Sequence, residues 1–239
     1  MDKRYLLLQI NDAAFPIGSY THSYGLETYI QKNLIKNSND VYEYIKTNAK
    51  TNFLYTELLA AYKAYEFAEK NNLSKILELE EIIDASKIPK EIRTASEKLG
   101  SRFIKTVSSL DVKYESNIFN EYIKKENEGT RIHSSAYGVF CFSVGIDKVK
   151  AMEGYLYAYV SASIINAVKL IPLSQNEGQK ILYKCYKFFD EIIDMLLSLD
   201  IKDLCLSTPS TPLILVNTKG LSPLIFLESL SITSRLAPT

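Results

Sequence analysis

The chain has 239 residues, and its 28 Lys and Arg are balanced by 28 Asp and Glu, so the formal net charge is zero. That balance lacks the basic footprint of a nucleic-acid binder and offers little repulsion against association with other proteins. The three cysteines, Cys141, Cys185 and Cys205, are odd in number and widely spaced, which argues against a disulfide framework and for a reducing, cytoplasmic setting.

The N-terminus opens on Lys3 and Arg4, but Gln9, Asn11 and Asp12 end its apolar run after a few residues. That is too short for a signal peptide or a membrane span. After a turn at Phe15-Pro16-Ile17-Gly18 the apolar period is helical. A first helix is expected over residues 21 to about 32 and a second, long one over 40 to about 70. The stripe of the second is Val41, Tyr44, Ile45, Phe53, Leu54, Leu58 and Ala61. A shorter helix is expected over 73–85. Pro89 suits a helix first turn, and the helix it opens runs to about 110 with Ile92, Ala95, Leu99, Phe103 and Val107 on one side.

A weaker helix is expected over 114–125, with a break at Gly129. The next covers 133–144 and ends near Gly145. Asp147 can cap a long helix that stops before Pro172, since the residue before a proline is pushed away from helical dihedrals. Its apolar stretch, 155–168, contains tyrosines and serines between Glu153 and Lys169 and reads as a buried helix rather than a membrane segment. Ser174 and Glu177 form a capping-box pattern opening a last helix to about 199. Its stripe is Ile181, Cys185, Phe188, Ile192, Met195 and Leu199, widened by Leu182, Phe189, Ile193 and Leu196. The reading is therefore an all-α, single compact multi-helix domain over 1–205. The tail at 206–239, with four prolines and two apolar runs, is either poorly ordered or ordered by a partner.

The chemistry-bearing residues are few. His22 and His133 are the only histidines, and no Cys-x-x-Cys, His-Glu-x-x-His or close His/Cys pair occurs. Cys141 lies eight residues after His133, about 12 Å along a helix, too far for a base and its nucleophile. It also sits in the apolar run Val139-Phe140-Cys141-Phe142 and reads as core. There is no phosphate-binding loop of the Gly-x-x-x-x-Gly-Lys-Ser/Thr type. Glu78, Glu80 and Glu81, near Asp84, read as a solvated helix face. Tyr20, Tyr24 and Tyr29 form one tyrosine cluster and Tyr155, Tyr157 and Tyr159 another; the first, beside His22 and Glu27, is the one better suited to a protein contact, because tyrosine buries a rigid ring and keeps a polar tip.

Four stretches in order resemble the UreF family of urease accessory proteins. The first runs from Leu8-Gln9 through Pro16-Ile17-Gly18 and Tyr20-Thr21-His22-Ser23-Tyr24 to Gly25-Leu26-Glu27. It is most similar to the version in epsilonproteobacterial relatives. The second, residues 91–102, carries an early Arg93 and a later Gly100 and Arg102. The third is His133-Ser134-Ser135-Ala136-Tyr137-Gly138-Val139-Phe140, and the fourth opens on Ile171-Pro172-Leu173-Ser174 and includes Glu177, Gly178 and Gln179. The resemblance spans about residues 6 to 208. It fades in the tail, where only Ser234-Arg235-Leu236 echoes the family's usual ending.

What the resemblance implies is an all-helical protein that dimerises and bridges a UreD/UreH-like scaffold protein and a UreG-like GTPase in delivering nickel to apo-urease. It implies no enzyme: no cofactor or metal is bound directly, and nickel and GTP are handled by the partners. No nucleic acid or membrane is involved. On the motif matches, Tyr20, His22, Tyr24, Glu27, Arg93, Arg102, Glu177 and Gln179 are the expected partner interface; Arg93 and Arg102 are either partner contacts or internal helix ties, and Glu177 and Gln179 serve local capping and packing as well. Pro16, Gly18, Gly25, Gly100, Gly138, Pro172 and Gly178 are expected to make turns or close packing. Two other readings of the same residues are a general helical adaptor with unrelated partners and an enzyme with an unfamiliar helical active site.

Overall fold

A computed structural model describes residues 2–18, 26–87, 90–125 and 131–206. Every regular element among these residues is helical. In chain order they are α1 (Lys3–Ile10), α2 (Leu26–Gln31), α3 (Ser38–Asn48), a π-helical segment (Ala49–Leu58) and α4 (Leu59–Glu69). There follow α5 (Leu73–Ser86), α6 (Lys90–Ser108), α7 (Ile118–Lys124), α8 (His133–Ser143) and α9 (Lys148–Leu170). Last come α10 (Gln175–Cys185), α11 (Phe189–Ser198) and two short 3₁₀ turns.

Side-chain caps set most starts. Asn37, Asn72 and Asp147 each accept backbone N–H bonds at the heads of α3, α5 and α9, and Ser174 and Glu177 complete the expected capping box of α10. Helix α8 ends on Gly145 at φ +70°, where the N–H of Ile146 returns to the carbonyl of Cys141. Ile171, before Pro172, is extended as expected and closes α9.

Three helices differ from the sequence reading. Lys3–Ile10 is helical, although its short mixed run carries little period; Asp2 caps it, and Leu6 and Ile10 are buried. The helix over 38–69 is continuous but changes register through ten π-helical residues. The expected single helix over 174–199 is interrupted at Tyr186–Phe188, which lets both apolar stripes turn inward. Within α6, Leu99, Phe103 and Val107 are buried as expected, but Ile92 is 54% exposed.

The core is centred on α8, whose residues from Ser134 to Cys141 are all buried. It packs against α4, α5, α6, α7 and α9. Phe140 of α8 meets Phe103 of α6 and Phe119 of α7, with ring centroids 5.7 and 5.2 Å apart. Burying each such ring stabilises the fold by roughly 1.5–3 kcal/mol. Small residues set the closest approach: α4 presents Ala60, Ala61, Ala64 and Ala68, and a Cβ at Gly138 would fall on the carbonyl oxygen of Ala61. Gly138→Ala should therefore lose roughly 1–3 kcal/mol by overpacking, although helix propensity alone favours alanine by up to about 1 kcal/mol. A lower urea midpoint at unchanged slope would confirm it. A more stable variant would show that the two helices can part at no cost.

One buried carboxylate corrects the sequence reading. Glu80 is not on a solvated face; it is 2% exposed. Its Oε1 accepts from Tyr122 Oη at 2.5 Å and from the backbone N–H of Ile132 at 2.8 Å, and its Oε2 accepts from Arg131 Nη1 at 3.0 Å. The Arg131 guanidinium lies 4.6 Å above the Tyr122 ring and donates to the Tyr122 carbonyl. This network joins α5, α7 and the lead into α8.

Candidate functional site

The interface set expected from the sequence is only partly in view. Tyr20, His22 and Tyr24, with Gly25, lie outside the described residues. Glu27 is exposed in the first turn of α2, where a carboxylate complements the helix dipole. The turn before it is anchored inward: Phe15 and Ile17 are buried, and Phe15 lies 6.1 Å from Phe103 of α6. Pro16 between them is exposed. Gly18, at φ +80°, leaves room for the guanidinium of Arg102: a Cβ there would stand 2.8 Å from Arg102 Nη1.

The N-terminal turn and exposed Arg102 are thus brought together. Arg93 is not part of that group: it lies nine residues earlier on α6, two and a half turns, and leaves the helix on the opposite side. Glu177 is engaged in the capping box, accepting from Ser174 N at 2.8 Å, and that backbone hydrogen bond holds its carboxyl below the usual range. Gln179 is exposed one turn into α10. Gly178 faces α9, where a Cβ would meet Val168 and Ile164, and Gly100 lies against the carbonyl of Arg131. Both glycines are in close packing.

His133 is interior. Its ring is surrounded by those of Phe103, Tyr137 and Tyr155, and Nδ1 is 3.2 Å from Tyr155 Oη. Burial lowers its pKa to about 4, against the pull of nearby Glu57. Glu57 pairs with Lys87 at 3.1 Å. Burial would raise the Glu57 carboxyl, but Lys87, with Ser134 and His133, outweighs it and the pKa lies below the ordinary value. Burial likewise pushes the Cys141 thiol up, and that of Cys185 up to about 12. Such thiols are poor nucleophiles and poor metal ligands. Among the described residues no group of three or more His, Cys, Asp and Glu could hold a metal ion. None of the described helices is long and apolar enough to cross a membrane.

The sequence reading did not find an aromatic face formed by α9, α10 and α11. Tyr157 is 42% exposed, Tyr183 75% and Tyr186 44%. The Tyr183 and Tyr186 rings are 5.7 Å apart, and Tyr186 is 5.5 Å from Phe189. Lys180, Lys184 and Lys187 lie along the same stretch. Tyr155 and Tyr159 point inward, so only Tyr157 of that triplet is available. The missed signal was the position of Tyr183 and Tyr186, outside both apolar stripes of their helix.

The UreF family model matches residues 35–186, which include α3 to α10. This chain belongs to the UreF family. It is 32% identical over 230 residues to the urease accessory protein UreF of Bacillus sp. (strain TB-90), covering 95% of this chain and all of that one. It is 31% identical over 207 residues to the urease accessory protein UreF of Ureaplasma urealyticum, covering 85% of this chain and 87% of that one. The corresponding protein of Ureaplasma parvum is 30% identical over the same length. The Bacillus match runs past residue 206, further than the sequence motifs alone carry the resemblance. Membership in UreF makes the chain an accessory protein of urease maturation rather than an enzyme.

Proposed function

We propose that this UreF-family chain is the helical scaffold that joins a UreD/UreH-like protein to a UreG-like GTPase during nickel delivery to apo-urease, and that it works in the cytoplasm as a homodimer. The observation that carries the reading is family membership across nearly the whole chain. The interior supports a scaffold role, because α8 is encased by five helices and holds surface residues at fixed separations, which lowers the entropic cost of docking. Binding two states of the GTPase unequally would bias its cycle without any chemistry on this chain. Nickel and GTP remain with the partners. The aromatic face at Tyr157, Tyr183 and Tyr186 supports the homodimer, since exposed rings of this size are concentrated at protein contacts.

The test is copurification of the full chain with its cognate UreD/UreH-like and UreG-like proteins. A stable ternary complex is expected, and no binding to correctly folded partners would refute the bridging role. In the same preparations, Tyr157→Ser with Tyr183→Ser should shift the chain to monomer by light scattering. A dimer that persists would move the self-contact elsewhere.

A further inference from the structure

In an α-helix the N–H of Leu59 would bond the carbonyl of Tyr55, four residues back. Here it goes to the carbonyls of Leu54 and Thr56, because residues 49–58 run in π register. The Tyr55 carbonyl is taken by a different donor, the backbone N–H of Cys205, at 2.7 Å. Cys205 holds φ +62°, a left-handed conformation that residues with a Cβ rarely adopt. The segment around it is tied down at two points: Leu204 is buried, and Asp200 lies 3.7 Å from Lys63 of α4.

We propose that the Cys205 N–H holds the Tyr55 carbonyl turned out of line with the Leu59 N–H, since a carbonyl with two lone pairs is denied to a second donor only by its direction, so that docking of residues 199–206 sets the register of the helix at 49–58. With the segment docked, Leu59 is displaced and the π register is kept. With it released, Leu59 N–H takes Tyr55 and the turn closes as α-helix. The change has consequences because the π segment carries working contacts. Phe53 stacks on Tyr159 of α9 at 3.9 Å, Lys50 pairs with Glu191 of α11 at 2.5 Å, and Glu57 pairs with Lys87. A change of register turns all three relative to α4. Residues 207–239 follow this dock directly in sequence, so whatever acts on them acts next to the device. Short π segments within α-helices mark positions where register can change, and a two-state element of this kind is what a coupling mechanism requires. The inference stands on the hydrogen bonding alone and does not depend on the bridging role.

The test uses two full-length variants, read by backbone chemical shifts and amide hydrogen exchange. Cys205→Pro removes the donor and, because proline fixes φ near −65°, also forbids the docked φ of +62°, so it releases the segment; Leu204, already extended at φ −64° and ψ 134°, tolerates a following proline. The expected result is α-type shifts through 49–58 and exchange at Leu59 slowed by about ten-fold or more as it gains an unshared bond. Wild-type shifts and exchange there would overturn the proposal, since the π register would then not need the Cys205 donor. Cys205→Gly is the opposite arm, because glycine adopts φ +62° without a steric cost. The amide at position 205 should exchange several-fold more slowly, with 49–58 still in π register. An amide no slower than in the wild type would count against it.

Discussion

Replacing Glu80 by alanine should destabilise the chain by about 3–5 kcal/mol, the range for removing one partner of a buried ion pair. The loss comes from the partners left behind. Arg131, 4% exposed, would keep a charge with no carboxylate, and the Tyr122 hydroxyl and Ile132 N–H would lose their acceptor. Burial pushes the Glu80 carboxyl up to about 7, although Tyr122, Ile132 and Arg131 all pull it down. That upward shift measures the desolvation cost the network carries. The pair is therefore worth less than its hydrogen bonds suggest, and a double replacement should separate the two effects. Glu80→Met with Arg131→Met removes both charges, and by urea unfolding at neutral pH it should recover the part of the loss due to the unpaired Arg131 charge, leaving the part due to the Tyr122 hydroxyl and the Ile132 N–H. A loss below about 1 kcal/mol for Glu80→Ala would place the carboxylate in solvent.

The core was legible because its signal is periodic. Val41, Tyr44, Ile45, Phe53, Leu54, Leu58 and Ala61 recur at helical spacing, and all are buried. Gly138 and Gly178 were singled out by the motif matches, and each stands where a Cβ would touch the neighbouring helix. The partners of Glu80 could not be read. It lies between Glu78 and Glu81 in a run that looks solvated, and its donors come from positions 42 to 52 residues away. The π register was equally hidden, because the donor that occupies the Tyr55 carbonyl lies 150 residues later in the chain. Tyr183 and Tyr186 were hidden for the reverse reason. A reading built on buried stripes has no place for a ring on the outer face, although that is where a contact surface belongs. His133 was weighed for metal contact on its residue type. Its ring neighbours Phe103, Tyr137 and Tyr155 arrive from three helices and place it in the interior instead.

That interior position gives the second large effect, on pH dependence. His133 falls from 6.5 to about 4 in the fold because burial disfavours the imidazolium. Between those values the unfolded chain binds a proton that the folded chain does not, so the His133 contribution is full above pH 6.5 and is lost as pH falls toward 4. A shift of this size corresponds to about 3 kcal/mol. Glu80 works the other way. Its carboxyl is raised from 4.5 to about 7, so the folded chain holds the extra proton, and that contribution is present below pH 4.5 and lost as pH rises through 7. Over the shared window the two slopes oppose each other, and the wild-type midpoint should vary less than either group alone would make it. His133→Gln removes one slope and uncovers the other. The variant should become more stable relative to wild type as pH is lowered from 7.5 to 4.5, by roughly 2.5 kcal/mol in paired urea titrations. A difference that stays flat across that range would mean His133 takes up its proton within the fold, which only a solvent-reachable ring, open again to a metal, could do.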